Sequence, residues 1–263
     1  MARASLKNVM RLLNEADSNL PVEESFLKDL KRSIEMSEDK ILRRPSKTYK
    51  PSSMNCIRNM YYQVVGAEPD PSSAVYTLVG ICNSGSDIHA RIQKAVDDMT
   101  NNAMDCEYVD VAEYVKNREL QDIEIVSQQG METKLYHKTL NMSFLCDGII
   151  KYKGKYYILE IKTESSFKFQ GRRGVNPQHY NQATAYSLAF GIDNVLFIYI
   201  NRDVLDMKSY MFNVTDTMKQ ELVDKIMECN RYVKSGQVPP KPDNACGKFC
   251  QYCSYSKSCA SSV

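Results

Sequence analysis

Apolar positions follow two different periods along this chain, and the change from one to the other divides it. From residue 3 to residue 37 they recur every three or four places: Leu6, Met10 and Leu13, then Phe26, Leu27, Leu30 and Ile34. That spacing lines one face of a helix and predicts helices over 3–16 and 22–37, parted at Leu20-Pro21. Residues 38–51 are basic and carry Pro45 and Pro51, which predicts a linker. A short helix is expected to begin at Ser52-Ser53, both good N-caps, and to carry Cys56, Arg58, Tyr61 and Tyr62. After a loop at 66–73, residues 74–99 again read as a helix, carrying His89 and weakest at Gly80 and Gly85. The period then falls to two. Strands are expected over 123–128, 132–139, 142–152 and 155–163, with the last two joined as a hairpin at Lys153-Gly154. Residues 164–177 are polar and basic and read as a mobile loop. A helix at 178–190 stops at Gly191, and strands 194–200 and 207–213 and a helix at 216–234 follow. Beyond Val238 there is no period and too little apolar surface to fold unaided.

Strands interleaved with helices predict an α/β fold in which a mixed central sheet is flanked by helices. The expected division is a helical extension and linker at 1–50, a core at 51–240 and a cysteine-rich tail at 241–263. A chain of 263 residues, 43% hydrophobic and 25% charged, fits a globular domain with an annex. Its formal charge of +2 argues against a uniformly basic coat but leaves room for a local basic groove. The most apolar run, Val195 to Ile200, is strand-sized and far short of the roughly 18–20 residues that span a bilayer. The first residues lack a secretory h-region, so a cytoplasmic protein with no membrane partner is expected. Nine cysteines in such a chain point to free thiols or bound metal rather than disulfides.

Two carboxylates command the chemistry. Asp147 closes the apolar run MSFLC, and Glu160 sits inside YYILEIKT across the hairpin. They lie seven and six residues from Gly154, close to the condition for facing one another on antiparallel strands. Lys162, two residues further on, points to the same face as Glu160. Adjacent carboxylates raise one another's pKa unless they share a cation, and a hard ion such as Mg²⁺ or Mn²⁺ takes oxygen ligands. Such an ion can stabilise the charge of a phosphodiester transition state, and a lysine beside it can orient the nucleophile or neutralise charge.

In the tail, Cys250, Cys253 and Cys259 form C-x2-C-x5-C with Cys246 four residues ahead of the first, tight enough for thiolates to converge on a metal. Tetrahedral Zn²⁺ on these four and an iron–sulfur cluster are both compatible with the spacing. Lys168, Arg172 and Arg173 make a basic, glycine-containing loop suited to phosphates, and nearby aromatic residues, Phe167 among them, suit stacking on single strands.

Asp147 followed by Glu160-Ile161-Lys162-Thr163 resembles the signature of the PD-(D/E)XK nuclease superfamily. Gly85-Ser86-Asp87-Ile88-His89 is similar to the G-[ST]-x-x-H motif of its RecB-like branch, Gln182-Ala183-Thr184-Ala185-Tyr186 to its Q-x-x-x-Y motif, and SSMNCIRNMYY at 52–62 to the front of the iron–sulfur members, the AddB-type and CRISPR-associated nucleases. The resemblance covers roughly residues 50–260, in order. It departs at Gln93, where members often carry an acid, and at Cys146, which stands in place of proline. It implies a restriction-endonuclease-like core and an exonuclease that processes DNA ends in repair or recombination, CRISPR adaptation or phage DNA metabolism, acting on DNA that is single-stranded or has free ends, with recombination or CRISPR-adaptation proteins as partners. It implies that His89, Asp147, Glu160 and the Ile161 carbonyl hold Mg²⁺ or Mn²⁺, that Lys162, Gln182 and Tyr186 complete the site, and that Cys56, Cys250, Cys253 and Cys259 hold a [4Fe–4S] cluster. A restriction-type endonuclease and a non-catalytic DNA-binding scaffold are the alternatives.

Overall fold

The computed structural model describes residues 21–38, 45–70, 76–241, 250 and 253–261. The helix expected over 3–16 lies outside them, as does Cys246. The described residues of Met1–Arg44 with Ser72–Cys82 form one compact unit, and those of Pro45–Pro71 with Asn83–Val263 form another. In the first, helix α1 (Val22–Glu38) accepts the backbone N–H of Tyr76 on Glu35 at 2.9 Å, and the Lys31 ammonium sits 4.7 Å from the centre of the Tyr76 ring.

The second unit holds two sheets. The larger has the order β1 (Cys106–Val109), β5 (Gly148–Tyr152), β6 (Lys155–Glu164), β7 (Asn194–Asn201), β8 (Met207–Asn213). Only β6 and β7 run parallel; the other pairs are antiparallel, so the sheet is mixed. The smaller is an antiparallel meander of β2 (Ile123–Gln129), β3 (Glu132–His137) and β4 (Met142–Cys146). The helices are α2 (Ile57–Val64), α3 (Tyr76–Asn101, of which the residues from Asn83 on belong to this unit), α4 (Val111–Asn117), α5 (Ser166–Gly171), α6 (Tyr180–Phe190), α7 (Asp216–Ser235) and α8 (Ser256–Ser261). A mixed central sheet flanked by helices is the architecture that the sequence led us to expect.

Strand alternation sends neighbouring side chains of β6 into two separate cores. Leu159 and Ile161 pack with Ile88 and Val96 of α3, whereas Ile158 packs with Ala183, Ala185 and Tyr186 of α6 and with Phe144 of β4. Lys153 and Gly154 both have positive φ, 49° and 76°, as a two-residue hairpin turn requires. Gly191 ends α6 at φ 67°.

Several elements differ from expectation for identifiable reasons. The run 142–152 is two strands in two sheets, broken at Asp147. Its interrupted backbone is not orphaned, because the Asp147 carbonyl accepts from Gln93 Nε2 at 2.7 Å and from the Tyr108 hydroxyl at 2.8 Å. The helix expected from Ser52 starts at Ile57, after a 3₁₀ turn over Pro51–Ser53 and with Cys56 as its extended N-cap. The long helix runs unbroken through Gly80 and Gly85. At the end of the expected linker, Tyr49 is fully buried and forms a parallel bridge with Met142. The loop at 164–177 contains α5, and β1 and α4 had no counterpart in the sequence reading. The tail forms α8, where Asp70 caps the backbone N–H groups of Lys257 and Ser258 and Tyr255 packs 5.3 Å from Tyr62, ring centre to ring centre.

Candidate metal centre

Asp147 stands where two antiparallel ladders meet. The β5–β6 register pairs Gly148 with Leu159, and one further step sets Asp147 across from Glu160. Because β5 ends there, β6 continues without a strand on that side, and the Asp147 carboxylate takes the ladder's place: its Oδ2 accepts the Ile161 N–H at 2.7 Å. In an extended strand a residue's N–H and C=O face the same edge, so the Ile161 carbonyl also points to this open side. Side chains arrive here from both faces of the sheet.

From α3 comes His89, whose Nδ1 lies 3.2 Å from Asp147 Oδ1. Burial disfavours its charged form, but the hydrogen bond and charge of Asp147 outweigh burial, and the imidazole pKa is raised. From α6 comes Gln182. Its Nε2 donates to Glu160 Oε1 at 2.7 Å and to the Tyr186 hydroxyl at 2.9 Å, while its Oε1 accepts from Lys162 Nζ at 3.1 Å. The Tyr186 hydroxyl donates onward to the Leu145 carbonyl at 2.9 Å, so the amide is held at both ends and its orientation is fixed. Lys162 also makes a close ion pair with Glu160 Oε1. Burial works against the ammonium, yet Glu160 and Asp147 raise its pKa and keep it charged.

Glu160 is 2% exposed, and burial pushes its pKa up to about 7 despite the opposing charge of Lys162. Its Oε1 is engaged twice, but Oε2 is buried with no hydrogen-bond partner among the described residues. An unpaired buried carboxylate oxygen is expensive, and a cation is the simplest group that would satisfy it. A hard divalent ion fits a donor set of imidazole nitrogen, carboxylate oxygens and a backbone carbonyl. His89, Asp147, Glu160, Ile161, Lys162, Gln182 and Tyr186 therefore converge on one place.

Glu132 and Tyr108 went unnoticed in the sequence, and Gln93 was singled out there only as a departure from the family pattern. Glu132, the first residue of β3, offers a carboxylate oxygen within 4.8 Å of ligand atoms of both His89 and Asp147. Gln93 and Tyr108 hold the Asp147 carbonyl as described. Glu132 had a readable signal: with 138–141 as a turn, it lies as far before the turn as Asp147 lies after it.

The basic loop divides. Lys168 and Arg173 are exposed, whereas Arg172 is committed to Glu164 through a close ion pair and a second bond at 3.1 Å, with its guanidinium 4.5 Å from the centre of the Tyr199 ring. Arg172 thus binds the loop to the sheet. His179 stacks against both Phe197 and Tyr199 and shares a 2.9 Å bond with the Tyr199 hydroxyl. Burial, aided by Lys162 and Arg172, lowers its pKa to about 3, so it is neutral. Cys56, at the N-cap of α2, and Cys250, Cys253 and Cys259 are partly buried, and burial raises the Cys253 thiol pKa with the other three thiols adding to the effect.

No family model and no curated protein matches the chain. Among solved structures, it is similar to the crystal structure of SSO0001 at 16% identity and TM-score 0.48, over 90% of this chain and 97% of that one. It is also similar to LHK-Exo, an alkaline exonuclease from Laribacter hongkongensis, at 14% identity and TM-score 0.43, over 73% of this chain and 90% of that one. The complex of LHK-Exo with dAMP gives 11% identity and TM-score 0.40, over 72% and 89%.

Proposed function

We propose that the chain is a metal-dependent nuclease of the PD-(D/E)XK type that hydrolyses DNA phosphodiester bonds, working inward from ends as an exonuclease. The observation that carries this reading is the buried, partnerless Oε2 of Glu160 beside Asp147 and His89. A divalent cation, Mg²⁺ or Mn²⁺, held by His89, Asp147, Glu160 and the Ile161 carbonyl would supply Lewis-acid stabilisation of charge developing on the phosphodiester oxygens.

The chain's own groups do the rest. Lys162 is held as an ammonium by Glu160 and Gln182, so it donates a hydrogen bond to the attacking water or to the phosphate and does not accept a proton. Gln182 fixes both Glu160 and Lys162, and Tyr186 fixes Gln182; in this reading they are positioning residues. Lys168 and Arg173 give exposed contacts to phosphates, whose strength falls with salt, and the 88% exposed Phe167 offers a face to an unpaired base. No base-reading element is present among these residues, so weak sequence preference follows. Cys56, Cys250, Cys253 and Cys259 hold a [4Fe–4S] cluster that ties α2 to the tail. The Zn²⁺ alternative needs Cys246, and a colourless zinc protein in place of a brown iron protein would select it. The RecB-like motifs support a part in DNA repair or recombination, CRISPR adaptation or phage DNA metabolism, in the cytoplasm. No helix among the described residues is long and apolar enough to cross a membrane.

Purified protein incubated with end-labelled linear and closed circular DNA, with and without Mn²⁺, tests this. Loss of label from linear DNA only, in Mn²⁺ only, is expected. Cuts in the circle would replace it with a restriction-type endonuclease, and binding without cleavage would replace it with a scaffold. The Lys162→Ala variant should lose cleavage and keep DNA affinity; persisting cleavage removes Lys162 from the reaction.

A further inference from the structure

The smaller sheet delivers an acid to the same centre. On the β3–β4 ladder Thr133 pairs with Cys146, and one more step sets Glu132 across from Asp147. The β5–β6 ladder sets Glu160 across from Asp147 in the same way. Asp147 thus belongs to two hairpins at once and faces a carboxylate on each. Glu132 is partly buried, and its oxygen, an imidazole nitrogen of His89 and an Asp147 oxygen all lie within 4.8 Å of one another. That is a distance compatible with ligands on a single ion.

The position of Glu132 is built. The Tyr108 hydroxyl reaches the Met131 carbonyl at 3.1 Å and the Asp147 carbonyl at 2.8 Å, pinning the residue before Glu132 to the residue that it faces. Tyr108 can come this close because residue 148 is glycine: a Cβ there would stand 2.7 Å from the tyrosine ring. Two acids and an imidazole held together in this way repel or compete for protons unless a cation joins them, and the partnerless Oε2 of Glu160 on the other side of Asp147 points to the same need.

We propose that Glu132 is a direct ligand of the divalent cation, together with His89 and Asp147, so that the β2–β3–β4 sheet takes part in metal binding. This rests on the metal-centre reading given under the proposed function. Mn²⁺ binding to the full chain without DNA, measured by calorimetry and by Mn²⁺ EPR, tests it on wild type, Glu132→Gln and Asp147→Asn. Each is compared at low and at high KCl, with circular dichroism to verify the fold. Glu132→Gln is expected to weaken Mn²⁺ by about tenfold or more at both salt concentrations, and Asp147→Asn to weaken it further. Glu132→Asp, which keeps the charge on a shorter arm, should fall between wild type and Glu132→Gln. Wild-type affinity in Glu132→Gln with loss in Asp147→Asn overturns the role of Glu132 and leaves the nuclease reading standing. A loss that disappears at high salt also overturns it, since a distant charge is screened and a ligand is not. Unchanged binding in both variants would bring down the metal centre itself.

Discussion

Lowering the pH from 8 to 6 is expected to weaken Mn²⁺ binding by about tenfold. The reason lies in Glu160, whose pKa burial pushes up to about 7. A cation competes with that proton, so with such a pKa roughly one centre in ten has an ionised Glu160 at pH 6 and roughly nine in ten at pH 8. His89, whose pKa is also raised, must give up a proton to serve as a ligand, so it adds to the loss at low pH. The same shift has a consequence for stability. A carboxyl whose folded pKa exceeds its unfolded one stabilises the fold when protonated; this contribution is complete below 4.5 and is lost as the pH rises through about 7. The displacement from 4.5 to about 7 is worth about 3 kcal/mol. Metal-free protein should lose that stability across this window, and Mn²⁺ should restore it above pH 7. Calorimetric titrations at pH 6, 7 and 8, in buffers of different ionisation enthalpy, measure the affinity and the proton release together. Equal affinity at pH 6 and 8 with no protons released would refute the argument, and Glu160→Gln should remove its contribution to the slope.

Glu164→Gln leaves the partly buried Arg172 guanidinium without its carboxylate and should cost about 3 kcal/mol in urea unfolding; a cost near zero would show that the pair does not anchor the loop. Gly148→Ala drives a methyl group into the Tyr108 ring, with an expected loss of about 1–3 kcal/mol and weaker Mn²⁺ binding. If the substitution changes neither, Tyr108 does not hold the centre together. Asp70→Ala removes the cap of α8 and should cost about 1 kcal/mol and speed proteolysis of the tail, as gel electrophoresis would show.

The parts legible in sequence were those that local rules control. Gly154 marked its turn, and counting outward from it brought Asp147, Glu160 and Lys162 together. Gly191 ended α6, and the four-residue spacing of Gln182 and Tyr186 put them on one face. The unread parts depend on distant partners. Nothing local breaks the run 142–152 at Asp147; the break is possible because Gln93 and Tyr108, far away in sequence, receive its carbonyl. Tyr49 looked like linker because its burial depends on Met142. Charge alone does not reveal that Glu164 and Tyr199 already engage Arg172.

The parallel pairing of β6 with β7 obliges the chain to leave the end of one strand and return to the start of the next. Everything between Glu164 and Asn194 belongs to that return path, including the basic loop and α6. Insertions between α5 and α6 could lengthen the path while the two strands keep their register. The length of this segment could therefore change over evolution, while the acids opposite Asp147 stay where their hairpins put them.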